Sequence, residues 1–198
     1  MKPKLAANDI AIGTWEAACV LGVHWVTVAR MVEKGMIRGR ELASATGSRV
    51  FRVYSLEDCE ENYAEYLEIC RKNGGHAPKH PRTMVHMRHE ILERLQNEPA
   101  RIAFDDAISA TEAAAILGVN PSFTNNLASR GQIVGRILWN GRQDSGGSRL
   151  WVFSRKSCTS NRDANAALEQ AGLKVGRPRN VSTTDDADKK TTSPTRPS

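Results

Sequence analysis

The chain of 198 residues contains one segment twice, in two copies that align without a gap. Residues 11–42 and 107–138 lie 96 positions apart, and 13 of the 32 aligned positions are identical. Eight identities fall in the first 13 positions and five in the last eight, whereas the eleven positions 24–34 have none. Internal repetition of this kind indicates a duplicated structural unit. The uneven distribution predicts a shared scaffold that presents two different surfaces.

The repeated segment has the pattern of two helices joined by a tight glycine turn. An apolar helical stripe follows Thr14, a residue suited to cap a helix start, and Gly22 is expected to end this helix. A second helix should begin at His24 and bury Val28 and Met31. The second copy has the same order 96 residues later, so both copies match the helix-turn-helix pattern.

Each helix pair is followed by two short stretches that read as β-strands around a polar turn. These stretches are residues 36–42 and 49–54 in the first copy, and residues 133–139 and 149–154 in the second. Each unit is therefore predicted to be a helix-turn-helix with a β-hairpin wing. The expected fold class is mainly α with small β-hairpin wings (α+β), in two winged helix-turn-helix units joined by a helical linker.

Both units resemble the winged helix-turn-helix of MerR-type regulators and the related phage excisionases. The resemblance rests on EAAxxLGV at 16–23 and 112–119, on His24 or Asn120 after it, and on G-x-I at 35–37 and 131–133. The segments RVYSLEDCE (52–60) and WVFSRKSC (151–158) are similar to the family's exit from strand into helix. The resemblance covers roughly 105 of the 198 residues. It implies double-stranded DNA binding by a bacterial or phage protein.

The chain departs from that family in three ways. Ala29 and Asn125 stand where the family usually has an arginine early on the recognition helix. No long dimerisation helix with an effector or metal site is evident, and two DNA-binding units in one chain are unusual. The resemblance therefore implies DNA binding and not ligand sensing, and no small molecule is expected.

The expected domain boundaries are 11–66 for the first unit, 67–101 for the linker, 102–170 for the second unit and 171–198 for a disordered tail. The region between the units contains two helical stretches, 56–72 and 82–96, with a breaker over 73–81. The second stretch has an apolar stripe of Met84, Met87, Ile91 and Leu95. This stripe is expected to pack on one of the winged units or to pair with the same helix of another chain.

The charge of the chain favours a polyanionic partner. The formal net charge is +6 and the sequence pI is about 9.4. No apolar run approaches the ~20 residues needed to span a bilayer, and the N-terminal segment lacks the apolar core of a signal peptide. We expect a cytoplasmic, nucleoid-associated protein with no membrane partner.

No cofactor or metal is expected, and the chain is not expected to be an enzyme. Cys19 replaces an alanine on the helix interior and is expected to be a small core residue. The histidines at 76, 80, 86 and 89 lie near Cys70, but the second thiol pair of a structural zinc site is missing. No phosphate-binding glycine loop, carboxylate pair or nucleophile triad is found in the sequence.

The second helix of a helix-turn-helix enters the major groove, so its early positions are the candidate base-reading residues. Arginine suits guanine, asparagine suits adenine, and apolar side chains suit the thymine methyl group. The candidates are Trp25, Val26, Ala29 and Arg30 in the first copy, and Ser122, Asn125 and Asn126 in the second. For Arg30, a phosphate contact or a solvated side chain is the alternative. Trp25 is expected either to pack on the wing or to lie against sugar and backbone.

A second group of arginines is expected to contact phosphates or the minor groove, which fixes register without reading sequence. The wing candidates are Arg40, Arg49 and Arg52 in the first copy, and Arg136, Arg142 and Arg149 in the second. Arg177 and Arg179 flank a proline in a segment similar to the Gly-Arg-Pro core of an AT-hook.

Two unlike reading helices in one chain predict a bipartite, asymmetric DNA site. The role expected first is transcriptional regulation, as a repressor. The alternatives are an excisionase-like recombination directionality factor that bends DNA, and a DNA packaging or partition adaptor. Accordingly, the protein partners left open are a second copy through the linker helices, a recombinase, a polymerase or an ATPase.

Overall fold

The computed structural model describes residues 9–43, 51–74, 84–139 and 150–172. It is a mixed α+β structure with two small three-stranded antiparallel sheets. The helices are α1 (Thr14–Leu21), α2 (Trp25–Glu33), α3 (Leu56–Lys72), α4 (Arg88–Asn97), α5 (Ala110–Leu117), α6 (Pro121–Ser129) and α7 (Arg155–Gln170). The strands are β1 (Ala11–Ile12), β2 (Gly39–Leu42), β3 (Phe51–Ser55), β4 (Ala107–Ile108), β5 (Gly135–Leu138) and β6 (Leu150–Ser154).

The predicted pair of helices with a glycine turn is present in both copies. Gly22 and Gly118 follow α1 and α5 with φ of 71° and 67°, a left-handed conformation that glycine adopts without a Cβ clash. His24 and Asn120 cap α2 and α6 through side-chain atoms that accept from the backbone N–H two residues on. The prediction that these two residues begin the second helix of each pair is therefore confirmed.

The start of α1 differs from the prediction. Thr14 is the first helical residue and Gly13 is the N-cap. The Glu16 carboxylate accepts a hydrogen bond from the Gly13 N–H at 2.7 Å, so this carboxylate does the capping expected of a hydroxyl. In the second copy, the Ser109 hydroxyl and Glu112 cap each other's backbone reciprocally.

Each copy contains the predicted hairpin and a third strand that was not predicted. In the first sheet the order is β1-β3-β2, and β2 pairs with β3 with Gly39 opposite Tyr54. In the second sheet the order is β4-β6-β5. The turns of both hairpins lie outside the described residues. Strands β1 and β4 have only two residues each, too few to show an alternating pattern in the sequence.

One face of each sheet packs against the helices of its own copy. Ile12 and Tyr54 belong to the apolar core beneath α1 and α2. Ile108 and Phe153 take the same place beneath α5 and α6. These four side chains are almost fully buried, so each copy has its own helix-on-sheet core.

The other faces of the two sheets pack against each other in a third apolar core. This inter-unit core contains Ala11, Leu42 and Val53 from the first sheet and Ala107, Leu138 and Val152 from the second, together with Ile102 and Phe104. A backbone hydrogen bond also joins the two units here, from the Ala11 N–H to the Ile102 carbonyl at 2.9 Å. The layer order is therefore helices, sheet, sheet, helices.

The described helices of the region expected to be a linker, α3 and α4, pack on the first unit. Helix α3 has the predicted bounds and continues past residue 66 to Lys72, so the expected division at residue 66 falls inside it. The apolar stripe of α4 packs on α1, with Ile91 and Leu95 buried in the first helical core. Of the two alternatives for this stripe, packing within its own chain, on the first copy, is the one that the structure shows. None of the helices in the described ranges is long and apolar enough to cross a bilayer.

Candidate nucleic-acid interface

The segment in which the two copies share no residue coincides with one exposed helix in each copy. Positions 24–34 cover α2 with its caps, and the aligned positions cover α6 with its caps. These helices bury few side chains, namely Val28 and Met31 in α2 and Thr124 and Leu127 in α6. The remaining faces of α2 and α6 are here called the reading surfaces.

The reading surface of α2 combines apolar and cationic groups. Trp25 is 49% exposed and Val26 is 38% exposed, and Arg30 is also exposed. Ala29 is half-buried beside them. The Trp25 ring lies against the His24 ring, with centroids 5.3 Å apart. The indole is thus about half exposed, and the choice between packing on the wing and lying against sugar and backbone stays a prediction.

The reading surface of α6 is polar and carries no acidic group. Ser122 and Asn126 are exposed, whereas Asn125 is half-buried. The side-chain oxygen of Asn125 is buried and has no hydrogen-bond partner among the described residues. The buried Thr124 hydroxyl donates to the Pro121 carbonyl at 2.7 Å, which explains how a polar residue occupies this core position. Asn126 is therefore the asparagine that faces outward.

Two glycines hold the reading helices close to the sheets. A Cβ built on Gly39 would lie 2.7 Å from Val32 Cγ2 of α2. A Cβ built on Gly135 would lie 2.9 Å from Ala128 Cβ of α6 and 2.8 Å from the Phe153 ring. All three distances are below 3.0 Å, too short for a real Cβ contact, so a larger residue at either position would force these neighbours to shift. Each reading helix thus packs closely on its own sheet.

Sequence reasoning missed one cation at the end of each reading helix. Lys34 and Arg130 are the C-cap residues of α2 and α6, occupy aligned positions and are exposed. Neither these residues nor Arg30 forms an ion pair with any other described residue. Counting identical residues overlooked them because the residue type differs between the copies. A comparison of side-chain charge would have found them, since both aligned positions are cationic.

Two of the arginines expected to contact DNA lie instead between the units. Arg136 is 2% exposed, and its guanidinium donates to both carboxylate oxygens of Glu16, at 3.2 and 2.8 Å. Arg40 donates to the Phe104 carbonyl at 2.9 Å and to the Ala107 carbonyl. The prediction that Arg136 contacts phosphates is therefore wrong, because the packing of the two sheets buries its side chain. Arg40 is half-buried, with its guanidinium directed at these two carbonyls.

Of the six other arginines expected to contact DNA, one lies on the surface and five fall outside the described residues. Arg52 is on the exposed side of the first hairpin and pairs with Glu41, Nη2 to Oε1 at 2.5 Å. The predictions for the other five fall outside the described residues: Arg49, Arg142, Arg149, Arg177 and Arg179.

A charged cluster connects the first hairpin to α3. The Arg38 guanidinium donates to both carboxylate oxygens of Asp58 and to Asp9. Burial raises the pKa of Asp58, but hydrogen bonds from the Arg38 side chain and backbone more than offset this, so the pKa lies below its ordinary value of 3.8. The cluster fixes the start of α3 and leaves the reading surface of α2 free.

The residues considered for metal binding do not form a site in the described part of the chain. His86 and His89 are exposed, and His76 and His80 lie outside the described residues. Within the described ranges, no group of three or more histidine, cysteine, aspartate or glutamate side chains is placed to hold a metal ion. Cys19 is buried in the first helical core, as predicted.

No protein-family model, no curated protein and no solved structure matches this chain.

Proposed function

We propose that this protein binds double-stranded DNA in a sequence-specific manner, through two tandem, non-identical winged helix-turn-helix units. The observation that carries the proposal is the coincidence of divergence with exposure. Aligned positions that are identical between the copies are largely buried, while the longest run without identity, of eleven positions, lies on α2, α6 and their caps. A duplicated scaffold that changes most completely along one exposed helix is typical of a change in what that helix recognises.

The side chains on the two reading surfaces suit base edges and phosphates. Arg30 can donate two hydrogen bonds to guanine, Val26 can contact a thymine methyl group, and Asn126 can pair with adenine. Lys34 and Arg130, at the ends of the helices, are suited to phosphates, which position the protein without reading sequence. A net charge of +6 supports a polyanionic partner.

The role that we propose is transcriptional regulation by a nucleoid-associated repressor that occupies its site without catalysing a reaction. The similarity to MerR-type regulators and phage excisionases supports DNA binding by this arrangement of helices and hairpin. On this proposal α2 and α6 carry the specificity, and the inter-unit core sets their relative position.

The test is selection of binding sites from a random 40-base-pair duplex library with the full-length protein at about 0.15 M salt, near the physiological value. We expect a motif with two unlike parts, and its position in the source genome should coincide with a promoter. A motif at a recombination attachment site would replace the repressor role with that of an excisionase. Binding without any enriched motif would contradict sequence-specific recognition.

A matched pair of variants connects the selected motif to the reading surfaces. Arg30→Ala should alter the motif in the part read by α2 and leave the other part unchanged. Arg71→Ala removes the same charge from an exposed position on α3 and should leave the whole motif unchanged. Equal effects of the two variants would mean that Arg30 contributes charge alone.

A further inference from the structure

We infer that a single chain reads two unlike half-sites in inverted orientation on one duplex, with their centres about one helical turn apart. This inference rests on the proposed DNA binding and adds the geometry of the site. It follows from how the two units contact each other.

One pair of polar contacts between the units is reciprocal. Arg40 of the first unit donates to the carbonyl of Ala107 in the second. Arg136 is aligned with Arg40, and Ala11 is aligned with Ala107. Arg136 of the second unit donates to the carbonyl of Ala11 in the first, at 2.8 Å. The same pair of positions therefore makes the same contact in both directions.

The apolar contacts have the same symmetry. The inter-unit core takes β1, β2 and β3 residues from the first sheet and their counterparts on β4, β5 and β6 from the second, so both units bury the same face. An interface in which each partner uses the same patch is isologous and implies a two-fold axis. If the second unit were related to the first by translation, the interface would instead join two different surface patches. The two units are thus related by a local two-fold axis through the inter-unit core.

The layer order places the reading helices at a separation that fits DNA. Helix α2 packs on the first sheet at Gly39, and α6 packs on the second sheet at Gly135. Because packed layers lie about 10 Å apart, the three steps from α2 to α6 amount to about 30 Å across the layers, which is the smallest separation that this order allows. This is close to the ~34 Å between successive major grooves on one side of a duplex. The buried core fixes that separation.

A two-fold relation between reading helices requires a two-fold relation between the half-sites that they contact. The half-sites must therefore point in opposite directions along the duplex. Because α2 and α6 share no residue at aligned positions, the two half-sites have different sequences, and orientation cannot be recognised from the selected motif alone. A positional measurement is needed.

The measurement is DNA cleavage from an iron chelate attached to aligned positions of the two reading helices. Lys34→Cys and Arg130→Cys place a thiol at the exposed end of α2 and of α6. Both are made in a Cys70→Ser background, in which the other three cysteines are buried. The probe is the duplex enriched from the random library, and the footprint of the unlabelled protein defines the centre of the site. Glu33→Cys and Ser129→Cys, also aligned and exposed, form a second pair should labelling of the first weaken binding.

We expect the two labelled proteins to cleave at equal distances on opposite sides of the footprint centre. One cleavage near the centre and one at the outer edge would mean a direct repeat, and would overturn the inverted orientation while leaving DNA binding intact. Cleavage of two separate duplexes in one complex would overturn the inference that both units bind the same duplex. Failure of the unlabelled protein to bind any duplex would overturn the proposed function, and this inference with it.

Discussion

Arg136 in the second unit forms a buried ion pair with Glu16 in the first, with Nη2 and Oε2 2.8 Å apart and both side chains 1% exposed. The same carboxylate accepts from the backbone N–H of Gly13 at 2.7 Å and of Trp139 at 3.1 Å. Glu16 therefore caps α1 and binds the second unit at the same time. Its counterpart Glu112 caps α5 and remains partly exposed, so the aligned position has an inter-unit role in one copy only.

Breaking this ion pair should destabilise the whole protein. Glu16→Gln leaves the buried Arg136 charge with Glu98, Nη1 to Oε2 at 4.0 Å, as its remaining counter-charge among the described residues. Loss of the close partner of a buried charge costs about 3–5 kcal/mol of the free energy of unfolding. Adding Arg136→Met should recover part of that loss, because it removes the buried charge. Urea unfolding of the two single variants and the double variant measures the coupling.

The matched control for this prediction is Glu112→Gln. Its carboxylate is 28% exposed and the nearest cation, Arg155 Nη2, is 3.7 Å away, so we expect a loss of about 1 kcal/mol or less. Equal losses for the two glutamine variants would show that capping, and not the inter-unit ion pair, accounts for the effect.

Acid should lower the free energy of unfolding, in part through protonation of Asp58. Because the pKa of Asp58 is lowered in the folded state, its contribution is fully present above the ordinary value of about 3.8 and is lost as the pH falls through the lower folded pKa. Asp58→Asn should lower the free energy of unfolding at pH 7 and make its decline below pH 4 shallower. Asp163→Asn, at an exposed carboxylate beside Arg162, is the control. An unchanged acid dependence in Asp58→Asn would refute the assignment.

Thiol reactivity should distinguish Cys70 from the other three cysteines. Burial is the main cause that raises the pKa of Cys19 to about 12 and that of Cys158 to about 11, and it also raises the pKa of Cys59. In the native protein near pH 8 we expect one thiol to react rapidly with an aromatic disulfide reagent, and four after unfolding. Rapid reaction that persists in Cys70→Ser would contradict the burial of the other three.

The reading surfaces should contribute specificity and affinity through different residues. Arg30→Ala and Asn126→Ala should each weaken binding to the selected site by about 1–3 kcal/mol and relax the preference for one base. Lys34→Ala and Arg130→Ala should weaken binding to all duplexes alike and reduce the salt slope by about one each. Fluorescence anisotropy titrations with the selected and a scrambled duplex, at several salt concentrations, separate the two effects. If Asn126→Ala weakened both duplexes equally, base reading by that residue would be excluded.

The sequence by itself determined the local structure. The duplication, the glycines after α1 and α5, the caps at His24 and Asn120, the hairpins and the bounds of α3 were all predictable, because each depends on neighbours within a few residues. The exposed faces of α2 and α6 were predictable for the same reason, since helical spacing assigned Val28 and Met31 to the core.

Only the tertiary structure decided which surface packs against the sheet faces that point away from the helices. In the sequence, Arg40 and Arg136 on the hairpins look as suitable for phosphates as Arg52 does. The packing of Leu42 and Val53 against their counterparts buries Arg136 and brings Arg40 to backbone carbonyls, and Glu16 becomes the partner of an arginine 120 residues away. Apolar patterning identifies a buried face but does not identify the surface that buries it, and here that surface is the other copy of the same unit.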